Sequence, residues 1–168
     1  MLGVNLIFAG FALTLNGLSF LIPVDEKAKG IANLLVGVII GINAVFQTAS
    51  ATDFITYGFA AAMWLFALNY FIIGAHIFLN STNWKVFAIY GLFSAVVSVI
   101  FGLDTLLNEG PWEMVYMWFM WAVLWAQTFV GGGLEVKKID QLSPHILILN
   151  GLLSTFIPGI LILLGIIL

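Results

Sequence analysis

The chain contains no cysteine and no arginine, and it carries little charge of either sign. Without cysteine there is no disulfide, no thiolate nucleophile and no cysteine-built metal centre. Without arginine there is neither a voltage-sensing helix nor a bidentate clamp for an anion. Charged residues make up 8% of the 168 and the net charge is −3, so no basic patch is available for nucleic acid. His76 and His145 have no second histidine or carboxylate at ligand spacing, which argues against a metal site. A Ser/His/Asp constellation, an HExxH pattern and a membrane-embedded acid pair are also missing. The expectation is a protein that is not an enzyme and needs no cofactor.

Apolar residues fill the space that charge leaves. The chain is 62% hydrophobic with a mean hydropathy of +1.15, beyond what a soluble domain of this size sustains. Crossing a hydrocarbon layer takes about 20 apolar residues in a helix. Six such runs are present: Leu2 to Ile22, Ile31 to Ala51, Phe54 to Leu79, Val86 to Leu107, Trp112 to Val130, and Ile146 to Leu168. The first has no small-residue cleavage site and reads as a retained helix. The connections are short and hold neither a linker nor a low-complexity segment. The predicted fold is an all-α integral membrane protein, one six-helix domain over residues 1–168.

Charge placement gives the orientation. Lys27, Lys29, Lys85, Lys137 and Lys138 all follow odd-numbered spans. Asp53, Asp104, Glu109 and Glu113 lie at the opposite ends, where there is no lysine. By the positive-inside rule both termini face outward. An internal echo, LNGLSFLIP from Leu15 and LNGLLSTFIP from Leu149, suggests equivalent helices in a repeated arrangement. Three antiparallel hairpins around a shared axis is the economical packing, with GxxxG at Gly37 and Gly41 favouring close approach.

No acidic or basic side chain sits in the centre of a span, which argues against proton- or sodium-coupled pumping. The mid-span polar groups are neutral: Asn16, Asn43, Asn69, Asn150, Gln47 and Gln127. Each is either hydrogen-bonding glue between helices or part of a path for a small neutral solute. The fifth span carries Trp118, Trp121 and Trp125 at spacings of three and four, which puts three indoles on one helix face. Such a stripe is either packing or the wall of a narrow pore, and each indole N–H at that depth needs a partner.

The opening MLGVNLIFAGFALTLNG, the tryptophan spacing and the NGLLSTFIP of the last span together resemble the UreI/AmiS family of urea and short-chain amide channels. The likeness covers essentially the whole chain. It implies three twisted hairpins around a pore, both termini outside, in a bacterial cytoplasmic membrane. It also implies a homohexamer with lipid in its centre and one pore per protomer. By the same resemblance Leu2, Leu6 and Leu13, with Asn16 beside them, narrow the pore, and Trp118, Trp121 and Trp125 wall its constrictions. Leu65 and Asn69 fall where well-studied members carry two aromatics, with Phe66 and Tyr70 one step away. Asn150 falls where many members carry a glutamate. The family's activity is passive passage of urea or a small amide, feeding a cytoplasmic urease or amidase. Acid-activated members have long, histidine-rich outer loops, and here those segments are short and contain no histidine, so strong acid gating is not expected. A small-carboxylate or acetate channel of similar plan is the runner-up, and a non-transporting membrane component is a third reading.

Overall fold

The computed structural model describes residues 1–168 and contains helices only. Helix α1 spans Leu2–Leu18, α2 Glu26–Ser50, α3 Phe54–Phe78 and α4 Lys85–Leu107. Helix α5 spans Trp112–Gln127 and continues through a wider π turn, Thr128–Gly133. The last rod is α6 (Lys137–Asn150), a second π turn (Gly151–Phe156) and α7 (Ile157–Leu163). Five of the six rods are long and apolar enough to cross a hydrocarbon layer, whereas α1, at 17 residues, is shorter. Large apolar side chains such as Leu35, Phe46, Phe93 and Ile100 are exposed on the outside, a surface suited to lipid.

The apolar runs were located correctly, but several ends differ from expectation. Helix α2 starts at Glu26 rather than Ile31 because Asp25 caps it, accepting from the Ala28 N–H at 2.7 Å. Helix α6 starts at Lys137 rather than Ile146, so most of the expected GGGLEVKKIDQLSP loop is helical and Pro144 lies inside the helix. At the other end Gly165 takes φ 67°, and the Ile166 N–H bonds the Leu161 carbonyl while Gly165 bonds Ile162. This glycine-terminated turn stops α7 at Leu163, short of the expected Leu168. Similarly, α1 ends at Leu18 and its chain turns through Ile22.

The rods pack as three antiparallel pairs: α2 with α3, α4 with α5, and α1 with the α6–α7 rod. The closing pair is set by glycine. A Cβ at Gly10 would lie 2.6 Å from the Gly151 carbonyl oxygen, and one at Gly3 would lie 2.8 Å from that of Gly159. On α1 these glycines are seven residues apart (10 − 3), while on the facing rod they are eight apart (159 − 151). The π turn absorbs the extra residue and keeps glycine opposite glycine. Antiparallel pairing gathers all five lysines at one end of the bundle and Asp53, Asp104, Glu109 and Glu113 at the other. Each pair contributes one inner helix, α1, α3 or α5, to a shared core that includes Leu6, Leu13, Phe66, Tyr70, Trp121 and Trp125.

Candidate solute pathway

At the lysine-free end, the start of α3, the end of α4 and the start of α5 surround a cavity of about 60 Å³. Phe54, Phe101, Asp104, Asn108, Pro111 and Trp118 are among its lining residues. The inward boundary is aromatic. Trp118 stacks on Phe101, with centroids 5.0 Å apart and planes 16° apart, and meets Trp121 edge-on at 5.1 Å and 80°. Phe66, from α3, meets Trp121 edge-on at 5.1 Å and leans on Trp125 at 5.0 Å. Such perpendicular and offset contacts suit ring quadrupoles and hold the planes in fixed orientation. The outcome is a closed aromatic cluster that joins α3 and α5.

Behind Trp121 lies a second cavity of about 10 Å³, lined in part by Leu2, Asn5, Leu6, Ile40, Phe66 and Trp121. That is room for one water-sized sphere. Hydrogen bonds pin the inner helices around it. The Tyr70 hydroxyl donates to the Ala9 carbonyl at 2.9 Å, tying α3 to α1, and the Tyr90 hydroxyl donates to the carbonyl of Leu65. Every ionisable Asp, Glu and Lys lies in a loop or in the terminal turn of a helix, so the bundle interior is uncharged. Outside the spans, Asp53 caps α3. Hydrogen bonds from the Thr56 backbone and side chain hold its carboxyl below the usual 3.8.

The residues singled out from sequence fall into distinct surroundings. Leu6, Leu13, Leu65, Trp118, Trp121 and Trp125 share one buried core, with half-buried Leu2 packed against it. Within this aromatic cluster it is Phe66, next to Leu65, whose ring meets the tryptophans, and Tyr70 lies beside it with centroids 6.3 Å apart. Asn69 is buried one turn beyond Leu65. Asn16 and Asn33 exchange two amide bonds, each 2.9 Å, so the Asn16 amide is engaged in the α1–α2 seam. Asn150 donates to the Ile146 carbonyl at 3.2 Å and accepts from Ser154 at 3.1 Å, within the turns that lead into the π segment. Gln127 is bound by Ser143 at 2.5 Å between α5 and α6. For these three amides the geometry is that of glue between or within helices.

Two residues of this region were not among those singled out from sequence. Phe66 was set aside by one step of register. Asn5 stood on the face of Leu2, Leu6, Ala9 and Leu13 at helical spacing, the signal that would have found it.

The bundle is all-helical, with an uncharged interior and an aromatic cluster between α3 and α5, and membership of a known family gives its class. The model of the AmiS/UreI family transporters matches residues 1–166, and the chain belongs to that family. Among its relatives, an acid-activated urea channel of Helicobacter pylori is 28% identical, with 95% of each chain covered. A protein of Mycolicibacterium smegmatis assigned as an amidate substrates transporter is 25% identical over 97% of this chain and 76% of its own. The structure is similar to the cryo-EM structure of the H. pylori urea channel in a closed state. The TM-score is 0.84 at 25% identity, with 98% of each chain covered. The crystal structure of the urea channel from that organism gives a TM-score of 0.83, also at 25% identity, over the whole of both chains. The chain is thus a multi-pass membrane protein of a transporter family rather than an enzyme.

Proposed function

We propose that this protein is a passive, bidirectional channel for urea and short-chain amides in the bacterial cytoplasmic membrane. The observation that carries the reading is the aromatic slot of Phe66, Trp118, Trp121 and Trp125 set in an uncharged interior. Flat neutral molecules fit edgewise between fixed rings. An ion gains nothing there to offset its lost hydration. The lysines lie on the cytoplasmic side and both termini outside. Solute enters past Trp118 and Leu2, passes Leu6, Trp121 and Phe66, then Trp125, Leu65 and Leu13, and leaves at the lysine end. Asn69 flanks this path, while Asn16 and Asn150 border it and mainly lock helices. The protomers form a homohexamer in lipid, each with its own pore. A cytoplasmic urease or amidase consuming the solute keeps the gradient inward.

Stopped-flow uptake into proteoliposomes tests the reading, comparing urea, acetamide and acetate at pH 7.4 and pH 5. Fast flux of urea or acetamide without acetate flux, similar at both pH values, is the expected result. Acetate flux would move the assignment to a carboxylate channel. No flux of any solute would return the tryptophan stripe to packing.

A further inference from the structure

The lysine-free end holds negative charge with nothing of the protein's own to balance it. Asp53, Asp104, Glu109 and Glu113 lie there, all five lysines lie at the other end, and the chain has no arginine. The one ion pair in the molecule, Lys29 with Glu26 at 2.8 Å, is also at the lysine end. Of these four carboxylates, Asp104 is the one that lines the cavity of about 60 Å³ between α3, α4 and α5. At about 10–15 Å³ for one water-sized sphere, that space admits a molecule of a few non-hydrogen atoms.

The wall of this cavity is mostly apolar with a polar share, and Asp104, Thr105 and Asn108 are on it. The Thr105 hydroxyl is spent, donating to the Phe101 carbonyl at 2.7 Å. Asn108, one helical turn beyond Asp104, donates from Nδ2 to the Asp104 carbonyl at 3.0 Å and to Asp104 Oδ1 at 2.9 Å. A backbone carbonyl can only accept, so the nitrogen end of Asn108 is fixed there and Oδ1 is its free end. Asp104 Oδ2 receives no hydrogen bond from the protein either. Two neighbouring side chains, one of them a half-buried carboxylate, thus keep an acceptor each. Phe54, Phe101 and Trp118 supply flat surface beside them, with the Phe101 centroid 5.7 Å from that of Phe54 and 5.0 Å from that of Trp118.

We infer that this cavity is a binding site for a small planar guanidinium-type cation, with Asp104 as its counter-charge and Asn108 Oδ1 as a second acceptor. Guanidinium is planar, offers only donors, carries the charge this end lacks and lies well against aromatic rings. Anions are repelled by the carboxylate, and neutral urea makes similar N–H contacts without the gain that charge brings. The binding stands on the cavity alone. Its consequence rests on the channel reading above: a cation held beside Trp118 finds no compensation in the uncharged interior and goes no further. It therefore blocks urea that enters from the lysine-free side.

Binding is read first, without flux, by saturation-transfer NMR on the full chain in nanodiscs, titrating methylguanidinium at constant ionic strength. Asp104→Asn keeps the size of the side chain and the acceptor that Asn108 uses, and removes the charge. It should weaken binding about tenfold, the worth of a charge-assisted hydrogen bond. Asp104→Glu restores the charge and should recover part of the loss, while Asn108→Ala should weaken binding by less than Asp104→Asn. Tetramethylammonium has the charge but no N–H, and it should fail to displace methylguanidinium. Equal affinity in the wild type and Asp104→Asn, or displacement by tetramethylammonium at equal concentration, would overturn the site. Urea uptake into right-side-out and inside-out membrane vesicles reads the consequence. Methylguanidinium should slow it from the lysine-free side and leave it unchanged from the lysine side. Urea flux without methylguanidinium binding overturns the site and leaves the channel. Binding to a protein that carries no urea overturns the channel and leaves the site. Binding that leaves an existing urea flux unchanged from both sides overturns the block.

Discussion

Trp121 sits in the middle of the aromatic cluster that joins α3 and α5. Its ring is fully buried between Trp118 and Phe66, and under the proposed function it sets the width of the passage. Trp121→Ala should therefore widen the passage and reduce the preference for urea over propionamide by about tenfold, the usual reach of a close-fitting apolar wall. Parallel uptake of the two solutes checks this, and unchanged selectivity would make the ring packing only. Truncating a buried tryptophan also costs about 3–5 kcal/mol of stability, so a thermal melt belongs beside the flux assay. The three indoles were legible in the sequence because spacings of three and four can only mean one helix face. The amides were not, since what an asparagine does depends on what it meets. Asn16 is engaged because Asn33 lies opposite, 17 residues away on another helix, and Asn5 because Asn43 lies opposite, 38 residues away. No local pattern announces either pairing.

Helices are defined by their apolar middles in the sequence and by their caps in the structure. Hydropathy found all six rods yet placed the start of α2 five residues late (31 − 26) and that of α6 nine residues late (146 − 137). Polar first turns look like loops until Asp25 is seen capping one of them, and Pro144, left outside the sixth apolar run, lies inside α6. The glycines show how much a helix pair tolerates. Gly10→Ala places a methyl 2.6 Å from the Gly151 carbonyl oxygen and 2.8 Å from the Phe156 backbone nitrogen, so α1 must shift away from its partner rod. Overpacking of this kind costs about 1–3 kcal/mol. Gly132, by contrast, has nothing within 4 Å of an added Cβ, and alanine there should be neutral or gain about 0.5–1 kcal/mol from helix propensity. Unfolding in mild detergent should separate the two variants. Equal melting of both would mean that α1 and the last rod do not rely on glycine contact.

For the molecule as a whole, the separation of the lysines from the carboxylates at the lysine-free end gives orientation and acid response a common cause. The chain lacks cysteine, so single substitutions report sidedness cleanly. A membrane-impermeant maleimide on intact cells should label Glu109→Cys and leave Lys27→Cys unlabelled, and the reverse would invert the topology. That same asymmetry governs pH. Histidine is the side-chain type that changes charge between pH 7 and pH 5. His76 and His145 both lie toward the lysine end, His76 bonded to the Asn83 carbonyl at 2.8 Å and stacked on Trp84. At the other end, Asp53 holds the start of α3 through a capping box, and its carboxyl is depressed by the Thr56 hydrogen bonds. A depressed carboxyl stabilises the folded form above its unfolded value of 3.8, and that contribution is lost only as the pH falls through the lower folded value. The cap therefore stays intact at pH 5. Acidifying only the lysine-free side from pH 7.4 to pH 5 should change urea flux by less than about twofold, because no histidine faces that side. A steep rise would place an acid sensor among Asp104, Glu109 and Glu113, of which Asp104 lines the cavity at that end, and Asp104→Asn would then be the variant that abolishes it.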